Sequence, residues 1–267
     1  MNDFFEYKDA KIEYLTMDNN CEKTLLFLHG FSGEFMFYED IYKSYEGMYN
    51  IYALNMPTHG QSDIRPDLMN MEDFGEIVIK FVKEKNLNHI RLIGHSMGGG
   101  VAMSIAWKLG ELVDKVILLG PMNRTMLMYN HLWPLFFPRN WEDYVKLAPI
   151  LYFNHKALLA NDEVIQRVEE KFSNEEVHKR LDVIYEWGYR MPQEKNQEIV
   201  DQGIAKCKSP IYLINGDHDG IVNVANCERH YKNLNNNVKS YVIKNSGHCM
   251  WVDNFDEFMS VFTEAIA

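Results

Sequence analysis

The chain has 267 residues, of which 46% are hydrophobic, so it can form one large domain with a sizeable core and is not a disordered chain. Its formal net charge of −11 argues against nucleic acid and anionic membranes as partners, because phosphate binding needs a basic surface. No signal peptide and no apolar run of roughly 20 residues is evident, so no membrane span is expected. The four cysteines lack Cys-x-x-Cys spacing and fit a reduced, cytoplasmic protein.

Strands and helices alternate over the first half of the chain. The segment 24–28 is apolar throughout, which is typical of a strand buried on both faces. Strands separated by helices indicate a parallel sheet. The predicted strands are 11–16, 24–28, 49–54, 89–93 and 115–119, and the predicted helices are 72–84 and 99–107.

This alternation stops between Pro121 and about Lys208, where no buried strand is evident. Connections in such sheets are usually about 2–6 residues, so an insertion this long predicts a helical lid. The sheet resumes afterwards, and Asp253 is the expected N-cap of the last helix. The helical pieces predicted in the insertion are 126–133, 141–146, 163–172 and 175–187; later strands are 210–214 and 238–243, and later helices are near 224–231 and 253–266.

Ser96 lies in a Gly-x-Ser-x-Gly sequence, Gly94–Gly98, between a predicted strand and a predicted helix. A serine on such a turn is held outward on a strained backbone, and a Cβ two residues to either side would collide with the neighbouring strand and helix. The pattern alone is weak, but the strand before it and the helix after it strengthen it. Ser96 is therefore a candidate nucleophile.

Other polar residues follow further predicted strands, and open parallel sheets bind ligands beyond these carboxyl ends. His248 follows one of them, and an acid would orient its imidazole so that it takes the Ser96 proton. Asp217, Asp219 and Asp253 compete for the role of that acid, and Asp219 is favoured. Two backbone amides are the expected donors to the oxyanion, those of Phe31 and Met97.

The chain resembles the α/β-hydrolases with a helical cap, in the branch of esterases, lipases and C–C hydrolases. The motifs that carry the resemblance lie in residues 10–122 and 206–267: His29-Gly30-Phe31-Ser32-Gly33, Met56-Pro57-Thr58-His59-Gly60-Gln61-Ser62, Gly94-His95-Ser96-Met97-Gly98-Gly99, Gly216-Asp217-His218-Asp219 and Gly247-His248. The resemblance implies a mostly parallel twisted sheet flanked by helices, with core residues 1–122 and 206–267 and a cap at 123–205. It also selects Asp219 as the acid and the Phe31 amide as an oxyanion donor.

We expect a serine hydrolase that cleaves carboxylic esters of apolar acyl or aryl substrates, with no cofactor and no metal. The alternatives are a C–C, amide or thioester hydrolase, an acyltransferase, and a ligand-sensing signalling protein of the same fold. The cap is rich in aromatic residues and methionine, which suggests an apolar pocket over Ser96. The candidate pocket residues are Phe31, Met122, Trp133, Phe137, Trp187 and Val222.

Overall fold

An eight-stranded sheet forms the centre of the computed structural model, which describes residues 2–267. The strand order is β1-β2-β4-β3-β5-β6-β7-β8; the pairs β1–β2 and β2–β4 are antiparallel and the others are parallel. The prediction of an α/β-hydrolase fold with a mostly parallel sheet is confirmed. The strands are β1 (Asn2–Tyr7), β2 (Ala10–Met17), β3 (Thr24–Leu28), β4 (Asn50–Leu54), β5 (Ile90–His95), β6 (Val113–Leu119), β7 (Ile211–Gly216) and β8 (Val238–Ile243).

Helices cover both faces of the sheet, and each face has its own hydrophobic cluster. On one face, α2 packs Phe74, Ile77 and Phe81 into the core, and Asn70 caps its first turn by accepting from the Asp73 amide. The helices are α1 (Glu39–Tyr45), α2 (Met71–Glu84), α3 (Met97–Leu109), α4 (Trp141–Leu151), α5 (His155–Leu159), α6 (Asp162–Ser173), α7 (Glu175–Arg190), α8 (Glu194–Lys206), α9 (Val224–Leu234), α10 (Met250–Asp253) and α11 (Phe255–Ile266).

Strand β1 was not predicted from the sequence. It pairs with β2 through a two-residue turn in which Lys8 and Asp9 both have positive φ, 47° and 60°. This turn geometry suits a hairpin but usually carries Asn-Gly or Asp-Gly. Because Lys-Asp lacks that signature, the hairpin is not visible in the sequence pattern.

The insertion between β6 and β7 contains five α-helices and a 3-10 segment, Arg124–Phe136, which includes Pro134. The helix predicted at 126–133 lies inside this 3-10 segment. Helix α8 was not predicted, and it packs against α3 so closely that a Cβ on Gly203 would lie 2.0 Å from the Met103 carbonyl oxygen. The C-terminal part of the insertion is therefore anchored on the core, and the cap boundaries at 123 and 205 stay predictions.

The prediction that Asp253 caps the last helix is wrong. Helix α11 begins at Phe255, and Asn254 supplies the cap by accepting from the Glu257 amide. Asp253 instead accepts from backbone amides on two other segments, including that of Gly247 at 2.8 Å. A carboxylate can satisfy several amides at once, so the tertiary contacts outcompete the local cap.

Candidate active site

Ser96 lies on a tight turn between β5 and α3, with φ of 51° and ψ of −119°. A left-handed φ is strained for a serine, and such strain concentrates at functional sites. The flanking glycines are sterically required: a Cβ on Gly94 would lie 2.4 Å from the Gly98 carbonyl oxygen, and one on Gly98 would lie 2.2 Å from the Leu28 carbonyl oxygen. The structure therefore requires glycine at both positions, as the sequence pattern predicted.

Asp219 and His248 form a buried pair at the ends of β7 and β8. His248 Nδ1 lies 2.8 Å from Asp219 Oδ2, and the two side chains are 3% and 0% exposed. The other carboxylate oxygen, Asp219 Oδ1, accepts from the amides of Ile221 and Val222, each at 2.9 Å. These contacts fix the carboxylate, which holds the proton of the imidazole on Nδ1 and leaves Nε2 as a base. His248 Nε2 is buried and has no hydrogen-bond partner within residues 2–267.

The two competing acids lie elsewhere in this region. Asp217 pairs with His218 Nδ1 at 2.7 Å and accepts from the Ser246 amide at 3.1 Å. Asp253 holds the Gly247 amide at 2.8 Å. Both therefore shape the loop that carries His248, while Asp219 contacts its imidazole directly.

The loop that carries Phe31 passes close to Ser96. A Cβ on Gly30 would lie 3.1 Å from Ser96 Cβ and 2.9 Å from His95 Nδ1, so glycine is required at this approach. The backbone amides of Phe31 and Met97 donate to no group in the described part of the chain. Met97 is the first residue of α3, where amides lack partners within the helix. Both amides are thus free to donate to a ligand.

Two buried histidines fix this loop against the end of β4. His29 Nδ1 lies 2.7 Å from the Gly30 carbonyl oxygen, and His29 Nε2 accepts from the Met56 amide at 3.0 Å. Burial lowers the pKa of His29 to about 4, so its imidazole stays neutral at pH 7. The His59 ring lies tilted against it with ring centroids 4.6 Å apart, and His59 Nδ1 bonds to the Pro57 carbonyl oxygen within the same loop.

The His95 ring packs against His248 and is itself in contact with two aromatic residues. The His95 ring lies 4.8 Å from the His248 ring and 4.8 Å from Trp251, and His95 Nδ1 bonds to the Tyr38 hydroxyl at 3.0 Å. The pKa of His95 lies well below its usual value, chiefly because the ring is buried and secondly because His248 is close. His95 thus packs at the elbow, with Nδ1 bonded to Tyr38.

Gly120 is a site residue that sequence reasoning missed. It has a φ of +48°, and a Cβ there would lie 2.9 Å from His248 Nδ1 and 3.2 Å from Asp219 Oδ2. The signal that was available is its position immediately after a buried strand, β6, where the predicted site residues also lie.

An apolar cavity lies between the insertion and the core. Several of its lining residues are Met122, Met126, Trp133, Met191, Gln197 and Ile221. Two of these come from the predicted pocket, Met122 and Trp133. The Phe31 ring lies 5.9 Å from Trp133 and 6.0 Å from Phe137, in an aromatic cluster beside the cavity.

The remaining two predicted pocket residues have other surroundings. Trp187 is 2% exposed and packs edge-on against Phe74 of α2, with ring centroids 5.7 Å apart. Val222 is buried, and its amide donates to Asp219. Trp187 thus joins the core under the insertion.

Within the described residues, no group of three or more His, Cys, Asp or Glu side chains is arranged to hold a metal ion. In the same residues, every helix is too short or too polar to cross a bilayer.

The fold is shared with solved hydrolase structures. The structure of 2-hydroxy-6-oxo-6-phenylhexa-2,4-dienoate hydrolase from Rhodococcus sp. strain RHA1 superimposes with a TM-score of 0.81. The match covers 99% of this chain and 98% of that one at 16% sequence identity. At this identity the likeness shows the fold alone.

Sequence relatives include proteins with provisional esterase or lipase names. One from Mycoplasma genitalium, esterase/lipase 1, is 28% identical over 252 residues, 90% of each chain. One from Mycoplasma pneumoniae, esterase/lipase 2, is 31% identical over 128 residues, which are 45% of this chain and 48% of that protein. The family model described as alpha/beta hydrolase fold matches residues 23–255. The chain therefore belongs to the α/β-hydrolase family.

Proposed function

We propose that this hydrolase cleaves carboxylic esters of apolar acyl or aryl substrates through Ser96, His248 and Asp219. The observation that carries the proposal is the buried Asp219–His248 pair, which follows β7 and β8 on the same parallel sheet whose β5 ends at the strained elbow serine. No hydrogen bond joins His248 Nε2 to Ser96 in this resting structure. The provisional esterase and lipase names of the relatives support the same reaction class.

In the first half of the reaction, His248 Nε2 takes the hydroxyl proton of Ser96 as Oγ attacks the ester carbonyl carbon. Resting catalytic hydrogen bonds are often long and tighten when substrate binds. The carbonyl oxygen becomes an oxyanion, which would accept hydrogen bonds from the amides of Phe31 and Met97. Loss of one such donor typically costs about 2.7–4 kcal/mol of transition-state stabilisation.

The second half of the reaction regenerates the serine. The imidazolium of His248 gives its proton to the leaving alkoxide, so the alcohol departs and the acyl group stays on Ser96 Oγ. A water molecule then attacks the acyl carbon while Nε2 takes its proton. Collapse of the second tetrahedral intermediate releases the carboxylic acid and returns the proton to Ser96. Asp219 stabilises the imidazolium in both steps.

Two further observations support the compartment and the substrate class in this proposal. The four cysteines are free, which supports a reducing, cytoplasmic location. The cavity between the insertion and the core is lined mainly by apolar side chains, which supports a small molecule with an apolar portion as the substrate.

Labelling and turnover together test the proposal. A fluorophosphonate probe should modify Ser96, identified by mass mapping, and the protein should hydrolyse p-nitrophenyl acetate and butyrate. Ser96→Ala should lose labelling and several orders of magnitude in kcat, because removal of a triad serine abolishes the acyl-enzyme route. Ser104→Ala is the matched control, since that serine lies on α3, the helix that follows Ser96, and its hydroxyl bonds to the Val101 carbonyl oxygen.

Other outcomes would point to the alternatives. Unchanged turnover in Ser96→Ala would reject the triad mechanism. Labelling without ester turnover, but with cleavage of a thioester, an amide or a vinylogous diketone, would replace the ester by that bond. Neither labelling nor turnover, together with tight binding of a ligand or partner, would favour a signalling role.

A further inference from the structure

Three residues that line the apolar cavity also contact residues of the proposed site. The Met122 amide donates to the Ser96 carbonyl oxygen at 2.8 Å, so the residue beside the nucleophile forms one wall. Ile221 forms another, and its amide donates to Asp219. Trp133 lines the cavity and packs on Phe31. The cavity is thus linked to the proposed site through these three residues, and we take it as the space that receives the acyl chain of a substrate.

One polar side chain in this cavity lacks a partner. Gln197 of α8 lines the cavity and is 2% exposed, and its Oε1 is buried without a hydrogen-bond partner within residues 2–267. Its neighbour Asn196 also has a buried amide oxygen without a partner in these residues, but Asn196 is not among the residues that line the cavity. The Asn196 amide nitrogen donates to the carbonyl oxygens of Arg190 and Met191 at 3.0 and 3.1 Å. Asn196 thus has a structural function, whereas the Gln197 carboxamide has none that its contacts explain.

A buried amide oxygen without a partner destabilises the fold, because it loses its hydrogen bonds to water on folding and gains no hydrogen bond within the protein. Such an atom needs a partner, which can be an ordered water or, for an atom in a cavity wall, a polar group of a ligand. A carboxamide both donates and accepts, so it pairs well with a neutral hydroxyl or carbonyl group. The cavity residues within the described chain include no Lys, Arg, Asp or Glu, so nothing there would neutralise a charged group.

We propose that Gln197 is a specificity-determining residue that binds a neutral hydroxyl or carbonyl group on the apolar acyl chain of the substrate. The inference rests on the proposed esterase function and narrows its substrate class to oxygenated, uncharged acyl esters. It disfavours plain hydrocarbon chains, which leave Oε1 unpaired, and acyl chains that end in a carboxylate.

Matched pairs of esters test this proposal. We compare p-nitrophenyl hexanoate with the 6-hydroxyhexanoate, and the octanoate with the 8-hydroxyoctanoate, in the wild type and in Gln197→Met. Methionine keeps a similar side-chain length and removes the amide. For at least one chain length, the ratio of kcat/KM for the hydroxylated ester to that for the plain ester should fall roughly tenfold or more in the variant, because the hydroxyl would be buried without a partner.

Met191→Leu is the matched control, since it alters an apolar wall of the same cavity and should change both members of a pair alike. Equal ratios in the wild type and Gln197→Met would overturn the inference and leave the esterase proposal standing. If Gln197→Met does not fold, the wild-type ratio decides: a preference of tenfold or more for the plain ester at both lengths would overturn it. Absence of Ser96 labelling and of all ester turnover would overturn both proposals.

Discussion

Gly120 illustrates how the absence of one side chain shapes the proposed site. It lies at the end of β6, and its α-hydrogen occupies the space in which a Cβ would touch both His248 and Asp219. Its positive φ adds a second reason for glycine, since L-residues are strained in that region. The same position therefore combines a backbone requirement with a packing requirement.

Gly120→Ala should lower activity on p-nitrophenyl acetate by on the order of 10²-fold, because the new methyl group displaces the imidazole from its place. Gly110→Ala is the control: Gly110 also has a positive φ, +58°, but nothing lies within 4 Å of its Cβ position. Both variants should lose about 1–2 kcal/mol of stability from backbone strain. Thermal melting and kcat/KM separate the two effects, and equal activity in the two variants would contradict the steric account.

At this scale the sequence revealed residues that belong to motifs and missed those defined by tertiary contact. Ser96 and its glycines were predictable because one turn geometry dictates their spacing. Gln197 was not predictable, since a glutamine in a largely polar segment of the sequence gives no periodic signal that it is buried. The prediction that Asp253 caps the last helix failed because its carboxylate accepts hydrogen bonds from amides on distant segments, and no local sequence pattern indicates such contacts.

At the scale of elements, the insertion is joined to the core by polar contacts as well as by packing. Arg180 of α7 donates from Nη1 to the carbonyl oxygens of Ser62 and Thr58, at 2.6 and 3.3 Å, in the loop between β4 and α2. Trp133 Nε1 donates to the Gly188 carbonyl oxygen at 3.0 Å within the insertion itself. The arginine thus ties α7 to the loop that also carries His59.

Arg180→Met should reduce the free energy of unfolding by about 1.5 kcal/mol or more, because hydrogen bonds from a charged donor to half-buried carbonyls are lost. It should also increase proteolytic cleavage within α6 and α7. Lys179→Met is the control, since Lys179 is exposed and pairs with Glu176 only at 3.8 Å. Urea titration measures the free energy of unfolding, and limited trypsin digestion measures the cleavage. If both variants lost similar stability, the Arg180 hydrogen bonds would not be what holds α7 on the core.

The elements themselves were predictable where periodicity was strong. The strands of the parallel sheet and helix α2 were found because buried faces impose apolar runs or a 3.6-residue period. Helix α8 was missed because it buries Asn196 and Gln197 among its apolar positions. The 3-10 segment at Arg124–Phe136 resembles a helix in composition, and Pro134 within it favours the tighter geometry.

At the scale of the whole molecule, three neutral histidines are buried around the site: His29, His59 and His95. Burial lowers the pKa of all three, to about 4 for His29 and well below the usual range for the others. The unfolded chain binds a proton at each of these residues at a pH where the folded chain does not. The fold is therefore expected to lose stability in mild acid.

The free energy of unfolding should consequently fall as the pH falls from about 6.5 towards about 4. For a histidine whose pKa drops from 6.5 in the unfolded chain to about 4 in the fold, stability is fully present above 6.5 and is lost through that window. His29 alone should account for about 2 kcal/mol between pH 7 and pH 5. His29→Asn keeps a donor and an acceptor but cannot be protonated, so the free energy of unfolding of this variant should change less between pH 7 and pH 5.

Urea titrations at both pH values measure the difference. The control is His131→Asn, which replaces an exposed histidine and should keep the pH dependence of the wild type. If His29→Asn showed the same pH dependence as the wild type, the neutral state of His29 would not be what links acid to unfolding.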